Sequence, residues 1–416
     1  VADWVTGFES RVAGLFGVLR KLLLYNRMMD LFWCMDKKKK KSSIRVRLAT
    51  RDPRLETRGA ASAAPLFPDS YVNTLFPTGN ERKTVMRNEI LKILRDKAPE
   101  PVSGEELAKQ LGITRTAIWK HIQTLKKEGY GIEAYTKKGY ALTSVPDKLL
   151  PSEIMAHLHT RFVGRAICYE ESVTSSNEVL KKLADKNAAD GTVCVAEEQT
   201  GGKGRLARGW FSPKGKGLWF SLLLKPSFLP QEAPKMTLLS AVAVVRAIRE
   251  VCQVEARIKW PNDVLLNGKK LVGILTEMSA EFGHINYLVV GIGINVCVPH
   301  DMVPEELRPA AISIADAAEG KVDRVALLAK VLDYLEYYYD IACREGFGPI
   351  LDQWRDYSIT LGKQVKVIAP DKTYVGTALD IDETGALQVK KEDGTVETVL
   401  AGDVSIRPAQ GKGKYA

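Results

Sequence analysis

Twelve residues, Gln199-Thr-Gly-Gly-Lys-Gly-Arg-Leu-Ala-Arg-Gly-Trp210, separate two runs that read as strands of one sheet, and they limit this chain more than any other segment. The run Thr192–Ala196 reads as a buried β run, and Leu218, Phe220, Leu222 and Leu224 alternate as a strand with one buried face. A hairpin needs only a few residues to turn, so a connection this long and glycine-rich is kept for something other than reversal. Gly201, Gly202 and Gly204 let backbone amides approach an anion, and Lys203, Arg205 and Arg208 place positive charge beside them. The pattern is neither the phosphate loop G-x-x-x-x-G-K-[ST] nor the dinucleotide fingerprint G-x-G-x-x-G. Taken alone, it is equally compatible with a solvated basic excursion.

The surrounding chain narrows the choice. Ser175-Ser-Asn177 precedes Val179, Leu180, Leu183 and Ala184 at helical spacing, and a long apolar helix is predicted over 236–252. Arg257-Ile-Lys-Trp-Pro-Asn-Asp263 reads as a strand ending in a polar turn. Two apolar runs then meet at Asn267-Gly268, a strong hairpin signal, with Lys269 and Lys270 on the returning strand. Leu288–Val296 is a buried strand in which Gly291 and Gly293 leave room against the backbone, whether for a ligand or for close strand packing.

Upstream, Ile90, Leu91 and Leu94 fall at helical spacing, Ser103-Gly-Glu-Glu106 has the pattern of a capping box, and Gly112 ends the short helix it begins. Thr114 caps a second helix with the stripe Ile118, Ile122 and Leu125. A hairpin follows over 132–142, with a Lys137-Lys-Gly139 tip, which makes a winged helix-turn-helix. Arg115, Thr116, Trp119, Lys120 and Gln123 point away from the stripe and, with Lys137 and Lys138, form the candidate DNA-binding set. A winged helix used only for protein contacts, with Trp119 packed on the wing, satisfies the same pattern.

The 416 residues carry a net charge of +10, but residues 1–84 hold +8 of it, so basicity says little about the rest. Within 12–35 the apolar run is interrupted by Arg20, Lys21, Arg27 and Asp30, short of the roughly 20 residues a span needs. Five lysines at 37–41 and an aperiodic stretch to Pro77 follow. The chain opens on Val and a foldable pattern starts at Met86, so 1–85 is expected to be a disordered or non-native extension; an amphipathic surface helix beside the lysines is the other reading. The six cysteines, at 34, 168, 194, 252, 297 and 343, form no C-x-x-C pair, which disfavours a metal ribbon or a disulfide scaffold and suits a reducing compartment. No metal site is expected.

Gln-Thr-x-Gly-Lys-Gly-Arg at 199–205, Lys-Trp-Pro-Asn-Asp at 259–263 and Gly-Ile-Gly-Ile-Asn at 291–295, in that order, resemble the biotin protein ligases, specifically the bacterial form that doubles as biotin operon repressor. The likeness runs over about residues 86–408. It implies an α+β multidomain chain: a winged helix at 86–146, a central mixed α/β ligase domain at 150–358 similar to class II aminoacyl-tRNA synthetases, and an SH3-like β-barrel at 360–408. Short β segments at 365–368, 373–378, 387–389 and 395–399 suit that barrel.

The resemblance implies formation of biotinyl-5′-adenylate from biotin and ATP with Mg2+, then transfer to an acceptor lysine of a carboxylase biotin domain. Ser175, Ser176, Asn177, Gln199, Lys203, Arg205, Lys270, Gly291 and Gly293 would hold biotin. Lys203, Arg205, Arg208, Trp210, Asn262 and Asn295 would hold ATP, and Arg205, Lys270, Asp263 and Lys259 would serve the chemistry. The same likeness implies operator DNA as a partner, a ligand-dependent homodimer, a cytoplasmic location and no membrane. Two departures stand out. Gly201 and Ala207 replace the family's common Ala and Gly, and Lys203 replaces an Arg, losing its planar fork but keeping the charge. A lipoate-protein ligase, which the second and third motifs oppose, and a biotin-sensing transcription factor without ligase activity are the competing readings.

Overall fold

The computed structural model describes residues 79–368, 372–400 and 403–406, so the expectations for 1–78 lie outside the described residues. Helix α1 (Gly79–Lys97) starts seven residues ahead of Met86, since neither Gly nor Pro interrupts the chain after Gly79. Helix α2 (Gly104–Leu111) is capped by Ser103, whose Oγ accepts the Glu106 N–H at 3.0 Å. Thr114 does the same for α3 (Arg115–Glu128) through the Ala117 N–H at 3.2 Å. Ile90, Leu94, Leu107, Ile118, Ile122 and Leu125 close a core between the three helices.

The wing is the antiparallel pair β1 (Gly131–Tyr135) and β2 (Gly139–Ser144). Tyr140 exchanges both backbone bonds with Val102, at 2.8 and 2.9 Å, and so ties the wing to the helices. Gly139 sits at φ +114° with Val102 O where a Cβ would fall, at 2.0 Å, so only glycine fits.

After α4 (Pro151–His157) the chain builds β3 (Ile167–Glu170), α5 (Ser176–Ala184), β4 (Val193–Ala196), β5 (Gly217–Leu224), α6 (Lys235–Cys252), β6 (Arg257–Lys259), β7 (Asp263–Leu266), β8 (Lys269–Glu281) and β9 (His284–Asn295). These strands form one seven-stranded sheet, ordered β3-β4-β5-β9-β8-β7-β6, antiparallel except for the β3–β4 pair. Helix α6 and the later α7 (Arg324–Glu345) cover one face, against Leu218, Phe220, Leu222 and Leu224. The opposite face meets α5 through Leu180, Cys194, Leu223 and Val289. All eight positions of β5 are therefore buried, where alternation predicted one buried face. The intervening Trp219, Ser221 and Leu223 face a second layer that the alternation does not reveal.

Helix α8 (Gly348–Tyr357) leads to a five-stranded antiparallel sheet of β10 (Gln364–Ile368), β11 (Thr373–Ile381), β12 (Leu387–Lys391), β13 (Val396–Val399) and β14 (Asp403–Ile406), ordered β13-β12-β11-β10-β14. The first four match the short β segments expected, and β14 is additional. No helix among the described residues is long and apolar enough to cross a membrane.

Candidate active site

The N-terminus of α5, the 199–210 loop, and the glycine-bearing faces of β8 and β9 converge on a cavity of about 780 Å3. Its two ends differ chemically. At one, a chain of buried polar side chains runs between elements. Gln199 Oε1 accepts both the Ser176 N–H, at 2.9 Å, and the Ser176 hydroxyl, at 3.0 Å. Ser176 Oγ lies 2.7 Å from Ser221 Oγ, and Ser221 donates to Asn177 Oδ1. Asn177 Nδ2 in turn donates to Glu277 at 2.7 Å, and Gln199 Nε2 to Ser212 at 3.1 Å. Gly291, paired with Ser221 across the sheet, leaves the space that Asn177 fills: a Cβ there would sit 2.2 Å from Asn177 Oδ1. Fixed donors and acceptors at the buried mouth of a helix suit a small, flat, polar ring system.

The other end is cationic. Arg205 Nη1 donates to Asn262 Oδ1 at 3.3 Å, and Lys270 Nζ lies 2.8 Å from Asp263 Oδ1, an ion-pair distance without hydrogen-bond alignment. Asn262 is held in place by β8, whose Ile274 accepts from its Nδ2 and donates to its carbonyl, both at 3.0 Å. Trp210 lies against the cross-strand glycines Gly273 and Gly293, with the Lys270 ammonium 5.4 Å from its ring centroid. Its Nε1 is buried with no protein acceptor, an orphan donor beside the cations.

The loop itself is shaped by backbone bonds, Gly204 N–H to Arg208 O at 2.7 Å and Trp210 N–H to Gly202 O at 2.9 Å. Its left-handed residues are Leu206 (φ 54°) and Ala207 (φ 57°), not the glycines 201, 202 and 204. Gly202 serves close approach instead, with Trp210 O 2.5 Å from where a Cβ would be. Lys203 reaches back to Glu178 at 2.9 Å, and Lys203, followed by Lys181, holds the Glu178 carboxyl below the usual carboxylate range.

Ser175, Ser176, Asn177, Gln199, Lys203, Arg205, Arg208, Trp210, Asn262, Asp263, Lys270, Gly291, Gly293 and Asn295 all line this cavity. Lys259 does not; it stands half-buried at the end of β6, paired across the sheet with Asp263. Ser221 and Glu277 escaped the sequence reading, although a serine inside an otherwise apolar strand is a visible signal. The segment Val298–Ala311 also lines the cavity through Val303 and Leu307, strapped to β8 by the Lys270 N–H to Ala310 O bond at 2.6 Å. Its three prolines and lack of period hid it.

On the winged helix, Arg115, Thr116, Trp119 and Lys120 are exposed along α3, Gln123 is half-buried, and Lys137 and Lys138 are exposed at the wing tip. Trp119 is 52% exposed rather than packed on the wing. The unit is also bolted to α4. Glu153, 4% exposed, takes two bonds from Arg95, at 2.9 and 2.8 Å, and one from the Tyr130 hydroxyl at 2.6 Å. Burial, then the bond to Glu153, pushes the Tyr130 phenol up.

Residues 87–141 match a helix-turn-helix domain family, 169–295 the biotin/lipoate A/B protein ligase family, and 360–407 the biotin protein ligase C-terminal domain. The bifunctional ligase/repressor BirA of Bacillus spizizenii is 39% identical over 324 residues, covering 78% of this chain and 99% of its own. The Escherichia coli protein of the same description is 31% identical over 309 residues, covering 74% of this chain and 94% of its own. Among solved structures, the biotin protein ligase from Aquifex aeolicus in complex with biotin and ATP aligns with a TM-score of 0.51 at 30% identity, over 59% of this chain and all of that one.

Proposed function

The chain belongs to the family of bifunctional biotin protein ligases and repressors, and from the two-ended cavity we propose how its residues divide the work. It is an ATP-dependent biotin protein ligase that also binds DNA as a biotin-responsive repressor. A biotin carboxylate oxygen attacks the α-phosphorus of ATP, pyrophosphate leaves, and the biotinyl-adenylate forms. The amine of an acceptor lysine on a carboxylase biotin domain then attacks the acyl carbon, and AMP leaves.

The observation that carries the assignment is the contrast between the cavity's ends. Ser175, Ser176, Asn177 and Gln199 offer directional hydrogen bonds to the ureido ring, with Gly291 keeping the floor flat. Arg205, Lys270 and Lys203 supply the charge that the carboxylate and phosphates need when brought together out of water. Asp263 orients Lys270, Asn262 orients Arg205, and the orphan Trp210 N–H awaits an acceptor on the adenylate. Arg208 and Asn295 complete the nucleotide side. Asp263 and Glu306 are the carboxylates of the cavity among the described residues, with no cluster of three, so Mg2+ would enter as the counter-ion of the ATP phosphates, with Asp263 to meet it through water. Positioning and charge stabilisation, rather than a protein nucleophile, do the chemistry.

Bound adenylate neutralises the loop cations. On this reading the chain then dimerises and offers two α3 helices and two wings to a two-fold operator, in the cytoplasm where ATP and carboxylases are found. Incorporation of labelled biotin into an acceptor domain, dependent on ATP, tests the ligase reading; incorporation of lipoate instead, or of neither, would reverse it. Protection of the Arg205 and Arg208 sites from trypsin by biotin with ATP, with a parallel rise in dimer fraction and operator affinity, tests the coupling. Sedimentation showing one unchanged association state would remove the dimer.

A further inference from the structure

The Lys259–Asp263 segment faces two ways. Asn262 and Asp263 enter the cavity. Trp260 points out of it and is 2% exposed, its Nε1 donating to Gly385 O at 3.0 Å and its backbone N–H to Thr360 Oγ1 at 2.9 Å. Both acceptors belong to the C-terminal sheet or the strand-like lead into it, where Ile359 N–H bonds Ile258 O at 2.8 Å.

The turn that receives the indole is closed by its own hydrogen bonds. Asp382 Oδ1 accepts the N–H groups of Thr384, at 2.9 Å, and Ala386, at 3.1 Å, and Gly385 N–H returns to Asp382 O at 2.9 Å. The turn is seated on α6 as well: Lys235 Nζ donates to Glu383 O at 3.2 Å, and Leu238 Cδ1 is 2.7 Å from where a Gly385 Cβ would lie. Pro261–Asp263 is thus a short span between two supports, β8 on the cavity side and the Trp260 anchor behind. The ureido-binding side chains rest on α5 and the start of the 199–210 loop, and although Asn177 also bonds Glu277 of β8, none of them bonds the Trp260 anchor.

We propose that Trp260 is a positioning residue through which the C-terminal sheet fixes Asn262 and Asp263, and so the geometry of the nucleotide end alone. A span held at one end can shift its side chains, and misplacement of an oriented group by about 1 Å costs on the order of 100-fold in rate. The inference rests on the ligase reading.

The test compares the full wild-type chain with Trp260→Phe, which keeps an aromatic ring and removes the N–H. Biotin-dependent pyrophosphate release is measured against ATP and against biotin, and biotin binding is measured alone by calorimetry. The expected result is biotin affinity within twofold of wild type, with at least a tenfold loss in kcat or rise in KM for ATP. Thr360→Val should show the same split to a lesser degree, and Thr360→Ser should restore wild-type values. Trp260→Phe with kcat and ATP KM within twofold of wild type overturns the proposal. So does a loss of biotin binding in step with adenylation and melting temperature, which marks a merely structural residue. Should Trp260→Phe not fold, the Thr360 pair decides by the same readouts. Failure of the wild-type chain to release pyrophosphate refutes the ligase reading itself, a result distinct from an active wild type with unaffected variants.

Discussion

Gly291→Ala isolates the polar end of the cavity. The φ of Gly291 is one that alanine adopts freely, so backbone strain contributes nothing and the effect is steric. The new Cβ would lie 2.2 Å from Asn177 Oδ1, 2.9 Å from its Cγ and 3.0 Å from its Nδ2. An unstrained contact needs about 3.5 Å, so the amide must retreat by more than 1 Å. It has nowhere to go: Asn177 is 4% exposed and pinned between Ser221 and Glu277. Overpacking of this kind costs about 1–3 kcal/mol. Because the displaced amide is assigned to biotin, the expected loss of affinity is at least tenfold, equivalent to about 1.4 kcal/mol. Calorimetric titration with biotin reads it, and thermal unfolding shows whether the fold survives. Gly348→Ala, where no atom lies within 4 Å of the added Cβ, is the control. Biotin affinity within twofold of wild type in a folded Gly291→Ala variant would refute both the packing argument and the place assigned to Asn177.

Arg205→Ala and Lys270→Ala should each lower biotin-dependent pyrophosphate release at least tenfold with melting temperature unchanged, since an uncompensated phosphate in a dry site costs more than about 1.4 kcal/mol; normal release removes that residue from the mechanism. Glu153→Gln removes the charge that binds Arg95 and Tyr130, worth about 1–2 kcal/mol given that Arg95 is partly solvated. Ligase activity should stay constant while operator affinity falls severalfold and protease cleavage at 146–150 accelerates; equal affinity would show that the bolt does not orient the winged helix. Lys148, then Lys214, holds the Glu171 carboxyl at about 2 against an ordinary 4.5. A depressed carboxylate contributes stability above its unfolded value that is lost as pH falls through the folded one, so Glu171→Gln should flatten the acid limb of urea stability between about pH 4.5 and 2; an unchanged slope would assign that limb to other carboxylates.

Short-range signals made the winged helix legible. The caps at Ser103 and Thr114 and the buried stripe of α3 are local features, and the fold follows them. The β7–β8 hairpin is read as easily, because Asn267 and Gly268 take the positive φ angles, 50° and 75°, that this dipeptide favours. What failed to show is non-local. Burial of β5 on both faces depends on α5 arriving from elsewhere, and Lys259 stands outside the cavity lining although its cross-strand partner Asp263 is within it. The Val298–Ala311 lining has no period to read, since it is fixed by one strap to β8 and by apolar contacts with Trp219. Motif residues could be named in advance, but their supports could not, because Ser221, Glu277, Thr360 and Gly385 are joined to them only by the folded topology.

The same distinction bears on how one chain can serve two tasks. The linker leaving the wing is grasped at the base of the ligand loop. Glu197, two residues before Gln199, accepts the Leu149 N–H at 2.7 Å and pairs with Arg324 at 3.0 Å. Arg324 also bonds Asp147, at 3.2 Å to its carboxylate and 2.8 Å to its carbonyl, and reaches Gly217 O, where β5 begins, at 3.2 Å. Glu197 and Arg324 are 2% and 3% exposed, so their pairing recovers a heavy desolvation cost and contributes geometry more than net stability. That geometry joins the segment from which the loop departs, the strand to which it returns and the tether of the winged helix in one bonded network. On the function proposed above, a ligand that stabilises one arrangement of the loop base would act on the tether through bonded neighbours, and by linkage the DNA-bound arrangement would favour that ligand in return.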